Sequence, residues 1–467
     1  MNLSKVVSEI QQISLTKENS IFFSNSLRSA FNLIYSFESD VILEENIESI
    51  QCFLDLILLK IWPNKRIGHL EIKIDLLKHF IEIIDDFLIR FLTKFKQPLS
   101  NNTTSSIKTI DTVWKFLFVS EFLLSDSYEN KNNRDSVHQK LSNLLFDITN
   151  YKSYEEFLSK SKVKYFLDCI KSHKDDCEEW PSIFGNSIIF QFIVFHINYS
   201  NLHEYVFDLF PMVLRIIDNH LAQNQTIGLK CLNYILKHRN DTKHESSCFH
   251  ILFEYGYHDL IYLKTKNSLL NPEIDSLELI YENLNLLFQT ENHVESNCSD
   301  SEVLKKIFVI CDKKSDILIH IADNFRFHDS EHFLEAQLRV FLKHILPIMD
   351  CHLLRIAKIY IETSHYLLDK MLIYCSEDLS LLILEFLEKI FCCLNLYLKR
   401  DDLNVLVVKL FKIDLKLNAE NMKWKDKIGR KIFDILESLK QTSKDQNKEF
   451  IETFINRILQ SKLLEQS

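Results

Sequence analysis

Glycine and proline are scarce in this chain, at five and six residues among 467. Together they normally supply about a tenth of a globular protein. Tight hairpins need glycine for positive φ. Phosphate-cradling loops need it so that backbone N–H groups can approach a ligand. The shortage therefore excludes sheet-rich folds and glycine-rich nucleotide sites, and leaves helices. Cysteine lacks a pattern: there are eleven, with no C-x-x-C pair. Cys392-Cys393 fall in the apolar run Ile390–Leu398 and read as small buried hydrophobes of a reducing compartment. No uninterrupted apolar run approaches the ~18 residues of a membrane span. Met1–Gln12 alternates polar and apolar residues too often for a secretory segment. A cytoplasmic or nuclear location away from membranes is expected. Basic excess is also missing: 55 Lys and Arg against 65 Asp and Glu give a net charge of −10, which argues against nucleic-acid binding by charge.

What the chain does have is 46% hydrophobic residues, 35 of them Phe, read as core filler. A single core stops growing near ~250–300 residues, so several domains or an elongated solenoid are expected. Apolar residues recur at helical spacing. Ile72 to Phe91 form one stripe on a helix ending near Phe95. Leu334, Leu338, Phe341 and Ile345 form a second, and Leu353, Ile356, Tyr360 and Leu367 a third. Ser153–Glu156 and Ser299–Glu302 fit the capping box. Trp62-Pro63, Trp180-Pro181 and Leu346-Pro347 fit first helical turns, whereas Pro211 lies where the helix has already begun and predicts a kink. Polar breaks fall at Gln97–Ser106, Asp126–Asp135, His238–Ser247, Glu291–Ser301 and Gln441–Lys448. About twenty helices follow, paired into hairpins of ~40 residues, the spacing of HEAT and armadillo arrays. Helices apolar on more than one face, such as Ile188–Ile197, suit a solenoid that covers them on both sides. The expected architecture is an all-α, HEAT/armadillo-like solenoid of antiparallel helix pairs. It comprises helical repeats over 1–96, a linker over 97–106, helical repeats over 107–180, a HEAT-like region over 181–400 and capping helices over 401–467.

Candidate chemistry is thin. His328-Asp329-Ser330-Glu331-His332 fits the H-x-x-E-H zinc signature, but Asp329-Ser330 also reads as a helix cap that would set His328 off the shared face. Glu362-x-x-His365 lacks the second motif and the further carboxylates that a di-iron bundle needs. Asp85-Asp86 and Asp175–Glu179 do not make the paired D-D-x-x-D runs that hold Mg²⁺ on a diphosphate. No nucleophile elbow, P-loop or kinase signature occurs, so no cofactor, metal site or catalytic residue is expected. Between Lys399 and Lys431 ten Lys and Arg face five Asp and Glu. That bias reads first as a solvated helix face and otherwise as a face for an acidic partner.

From Leu209 to Leu270 the order of features is distinctive. Leu209-Phe210-Pro211 leads to Ile216–His220, then Gly228-Leu229-Lys230-Cys231-Leu232-Asn233-Tyr234-Ile235-Leu236, then Phe253–Tyr257 around Gly256. Arg339-Val340-Phe341, Leu346-Pro347-Ile348 and Leu353–Lys358 follow in the second half. This resembles the Tti-two family of Tel-two-interacting proteins in its G-x-x-C-L-x-x-I-L block, over roughly residues 180–400. The resemblance implies a non-catalytic HEAT scaffold. It would join Tel-two-like and Tti-one-like helical-repeat proteins in a co-chaperone complex that helps the Hsp-ninety system mature phosphatidylinositol-3-kinase-like kinases of DNA-damage and nutrient (TOR) signalling. It further implies that Arg339, Arg355 and Lys358 face a partner, and that Pro211, Gly228, Cys231, Leu232, Gly256 and Pro347 are structural. The alternatives are another helical-repeat scaffold, such as a nuclear transport receptor or ubiquitin-ligase adaptor, and more remotely an all-α metal-dependent enzyme.

Overall fold

Every element that the computed structural model describes is helical, and among the described residues there is no strand. Described are residues 20–35, 50, 54, most of 83–99, 109–117, 131–158, 160–172, 184–197, 202–237 except 203 and 220, 255–291 except 271, 300–394, 397–442 except 421, and 448–456 except 454. The readings of Trp62-Pro63, Asp175–Glu179, Trp180-Pro181, Ser299, and most of the 97–106 linker and of the Ile72–Phe91 stripe lie outside them. The chain divides into two compact units, Met1–Cys248 and Phe249–Ser467. The boundary falls inside the 181–400 span of the resemblance and directly after the polar stretch His238–Ser247.

The first unit contains α1 (Ser20–Tyr35), α2 (Lys131–Thr149), α3 (Tyr154–Phe157), α4 (Lys160–Ser172), α5 (Phe184–His196), α6 (Val206–Ile217) and α7 (Ala222–Lys237). α2 begins at Lys131, inside the Asp126–Asp135 stretch expected to be a break. That stretch is polar but holds no Gly or Pro, so nothing in it ends a helix. At α3 the capping box is modified. Ser153 Oγ accepts from the Glu156 N–H, but the Glu156 carboxylate reaches the Lys152 N–H rather than that of Ser153. Phe does fill the core: Trp114 stacks on Phe157 at 4.2 Å and contacts Phe146, while Tyr154 meets Phe192 and His196 edge-on. Ile188, Ile189, Phe190, Phe192, Ile193, Val194 and Ile197 on and beside α5 are all buried, as expected of a helix covered on both sides. α6 carries Pro211 in its interior and continues to Ile217.

The second unit is built of helix pairs in two rows. The first row is α8 (Tyr257–Asn267), α10 (Asp300–Phe327), α13 (Ala357–Tyr374) and α15 (Arg400–Ala419). The second is α9 (Ile274–Glu291), α11 (Glu331–Val340) with its extension, α14 (Glu377–Leu394) and α16 (Lys425–Thr442). Each helix from α9 onward packs on its successor in the same row, and α8 reaches α10 through Tyr262, Lys266 and Asp259, which bond Lys313 and Asp316. Polar contacts along the first row give the period directly. Asp312–Arg355, Leu318–Tyr360 and Asp329–Lys370 join α10 and its end to α13 across 43, 42 and 41 residues. Asp369–Lys409 and Leu372–Lys416 join α13 to α15 across 40 and 44. Both members of each pair rise together, so these helices run parallel, as equivalent helices of successive hairpins must. α8 and α10 are offset by more, with Leu269–Asn324 spanning 55, because α8 meets the second half of the 28-residue α10.

Pro347 departs from expectation. It opens no new helix but sits at the second position of α12 (Leu346–Met349), continuous with α11 through a π-helical turn at Phe341–Ile345. There the Leu346 N–H donates to Phe341 O, one residue beyond α spacing. A proline offers no N–H to the ladder, and the widened turn is how the run accommodates it. A 3₁₀ stretch, Asp350–Ile356, then carries the chain into α13. The shortage of glycine shows at helix ends, where Asn150 and Cys375 take the left-handed conformation at φ 59° and 50°.

Candidate interaction surface

The cations implied by the resemblance separate. Arg355 and Lys358 share the α10–α13 edge. Arg355 bonds Asp312 at 2.8 Å, and the Lys358 side chain is 90% exposed with Glu362 3.9 Å away. Glu362 also holds Arg326, which donates to Thr363 Oγ1 and Ile359 O. Arg339 lies in the other row and is engaged by Glu335 one turn earlier. The structure thus brings two of the three together on one polar edge. The other residues of the resembling blocks sit in packing and helix-start positions. Gly228 lets α7 meet α6, Cys231 and Leu232 are fully buried, and Gly256 at φ 72° precedes α8. Burial pushes the Cys231 thiol far up, the Lys230 charge offsetting little, so it stays a thiol.

Four Lys residues of the basic run are bound by their own chain. Lys409 binds Asp369 at 2.6 Å and His365 O at 2.8 Å, Lys416 binds Leu372 O, Lys427 binds Glu377 at 2.8 Å and Lys431 binds Glu388. These Lys residues fasten α15 and α16 onto α13 and α14. Exposed pairs contribute only ~0–1 kcal/mol each, so their service is mainly to register one repeat on the next. Cys392 corrects the cysteine reading: it is exposed and Cys393 half-buried, because the core-facing positions of α14 are Ile390, Phe391 and Leu394.

The side chains that sequence reasoning missed are apolar. On α15, Leu403, Leu406, Val407, Leu410, Ile413 and Leu417 are buried, while Val405, Val408 and Leu415 are 44%, 41% and 44% exposed. With Asp401, Lys412 and Ala419 they line the outer face at spacings of four, three, four, three and four, the period of a coiled-coil seam. That spacing is legible in the sequence. A helix apolar on several faces is expected to be covered on both sides, and α15 is not.

The other candidate motifs are structural. Ser330 caps α11 by accepting from the Phe333 N–H, so His328 lies before the helix, against the Phe333 ring, while His332 is exposed. Glu362 is spent on Arg326, and Asp86 pairs with Arg90 within one helix. Among the described residues no group of three or more His, Cys, Asp and Glu could hold a metal ion, and no helix is long and apolar enough to cross a membrane.

One buried titratable group carries a pH prediction. His258 on α8 is 3% exposed, beside Asp259 and Lys313 and the Leu287 carbonyl. Burial, then the Lys313 charge, lower its pKa from 6.5 to about 4, against the opposing pull of Asp259. The folded state therefore resists protonation. Stability is full above pH 6.5 and falls as pH drops from 6.5 towards 4, by about 3 kcal/mol at completion. Denaturant titrations at pH 7.5 and 4.5 should show His258→Gln losing about 2–3 kcal/mol less than the parent between them.

No protein-family model matches the chain, and no curated protein does. Two solved structures are similar at 10% identity. One is an engineered protein, with a TM-score of 0.31 over 94% of this chain and 99% of that one. The other is a circular tandem repeat protein with novel repeat topology and enhanced subunit contact surfaces, with a TM-score of 0.24 over 100% of this chain and 98% of that one.

Proposed function

We propose that this chain is a helical-repeat scaffold that acts by binding other proteins. The observation that carries the reading is the uncovered seam of α15, where Val405, Val408 and Leu415 face solvent at coiled-coil spacing around Lys412. Rows of apolar side chains left in water on a regular helix mark contact surfaces. In a repeat array such a face is extended, well suited to another helical protein. The resemblance of the Gly228–Leu236 block supports a specific form: a subunit shared with Tti-one-like and Tel-two-like proteins, serving the Hsp-ninety-dependent maturation of phosphatidylinositol-3-kinase-like kinases.

The test is mass spectrometry of proteins co-purifying with the tagged full-length chain. Tti-one-like and Tel-two-like proteins are expected in near-stoichiometric amounts. Val405→Glu with Val408→Glu should cut their recovery at least tenfold without moving the melting temperature, since both positions are exposed. Nuclear-transport cargo or ubiquitin-ligase subunits in their place would overturn the co-chaperone assignment.

A further inference from the structure

A second apolar surface, meeting the α15 seam at Leu415, runs across the C-terminal ends of the first-row helices. Leu270 follows α8, Phe327 ends α10, Ile373 is next to last in α13 and Leu415 lies near the end of α15. They are 59%, 78%, 66% and 44% exposed. Hydrogen bonds join their chain neighbours in series. Asn324 donates to Leu269 O, Lys370 and Tyr374 bind Asp329, and Lys416 donates to Leu372 O. Each bond lies one to three residues from the apolar side chain on either side of it. The four side chains therefore form rungs of one ladder, spaced as the helices are.

From this ladder we infer a docking site for an amphipathic α-helix of a partner protein, laid across the first row. The inference rests on the scaffold reading and adds a second surface and the kind of partner that fits it. Packed helices lie about 8–10 Å apart, and seven residues of α-helix advance about 10.5 Å. A helix crossing the row thus brings every seventh side chain over a rung, and four rungs take about 22 residues. Shape selects this occupant over a second copy. The four side chains expose on the order of 500 Å², at the upper end of what a monomer leaves in water. They stand one to a helix in single file across the row, a line that the apolar stripe of one helix matches.

The probe is a fluorescein-labelled, net-neutral 25-residue helical peptide of Ala, Glu, Lys and Gln carrying four Leu at every seventh position, titrated against the full chain by anisotropy. Saturable binding is expected. It should weaken at least tenfold in Phe327→Asp with Ile373→Asp, stay unchanged in Val405→Glu with Val408→Glu, and weaken at least tenfold when the Leu are respaced to every fifth position. Phe327→Ser with Ile373→Ser, milder in charge, should weaken it in the same direction with the melting curve unaltered. Binding that is absent, or insensitive to the ladder variants or to Leu spacing, overturns the inference. So does a dimer in sedimentation that the ladder variants dissolve, or a tenfold gain in peptide affinity on removing residues 457–467, which would make the chain's own terminus the occupant. None of these results touches the scaffold reading, whose separate readout is loss of co-purifying partners in the α15 variants.

Discussion

Phe386→Ala is expected to destabilise the second unit by about 3–5 kcal/mol, among the largest losses any single substitution there should cause. Phe386 on α14 is completely buried and stands at the junction of four elements. Its ring lies 5.6 Å from Phe325 of α10, 5.7 Å from Phe341 of the π turn and 6.3 Å from Tyr360 of α13. Phe325 and Tyr360 belong to the first row, Phe341 and Phe386 to the second, so the cluster is where the two rows lock together. Truncation removes the transfer free energy of the ring and leaves a cavity bounded by three aromatic rings on separate helices. Collapse into it would require several elements to shift at once, and that is the condition under which cavity costs run high. Tyr360 is tied in addition by its hydroxyl, which donates to Leu318 O at 3.0 Å. Denaturant unfolding should show the loss as a lower midpoint. Phe327→Ala, at an equally large but 78% exposed side chain, should stay within about 0.5 kcal/mol of the parent. Similar losses for the two would show that the Phe325–Phe341–Tyr360–Phe386 cluster is not the core of this unit.

Gly228→Ala is expected to destabilise the first unit although it places a better helix former in α7. Helix propensity favours Ala over Gly by about 1 kcal/mol. Against that, a Cβ at 228 would lie 2.8 Å from Ile217 Cγ1, 2.9 Å from the Ile217 backbone nitrogen and 3.1 Å from Ile216 Cγ2. A side chain can rotate away, but the Ile217 nitrogen is part of α6. The two helices must separate, and overpacking of this kind costs about 1–3 kcal/mol. The net result should be a loss of up to about 2 kcal/mol for Ala, growing to about 3 kcal/mol or more for Leu. Gly256 is the control. Its φ is 72° but no atom would lie within 4 Å of an added Cβ, so Gly256→Ala costs only backbone strain of about 1–2 kcal/mol, and Gly256→Asn less. A Gly228→Ala protein as stable as the parent would mean that α6 and α7 have slack.

Fold class was legible because it depends on local quantities. Scarce Gly and Pro, apolar residues at helical spacing, and helix hairpins of about 40 residues all act within a turn or a hairpin. The 40- to 44-residue bonds from α10 to α15 turn that spacing into contacts. Helix starts read through Ser153 and Ser330 held for the same reason, each being a side chain and an N–H three residues apart. The interaction surface was less legible. Arg355 and Arg339 look alike in sequence, yet one meets Asp312 on a neighbouring helix and the other Glu335 on its own. The basic excess over 399–431 reads from sequence as a solvated helix face or else a face for an acidic partner, but Asp369, Glu377 and Glu388 lie across the helix seam and take up Lys409, Lys427 and Lys431.

The sequence by itself determined that this protein is made of helices, where a few of them begin, and at what interval the pairs recur. Those outcomes follow from backbone freedom and from the 3.6-residue period, which neighbouring residues settle among themselves. Only the tertiary structure decided which of many similar Leu, Ile, Val and Phe are core and which face solvent. Phe386 and Phe327, or Val407 and Val408, differ in nothing but the neighbours that residues some 40 positions away supply. Exposure is a property of that packing, and the surfaces proposed to bind partners are made of exposure.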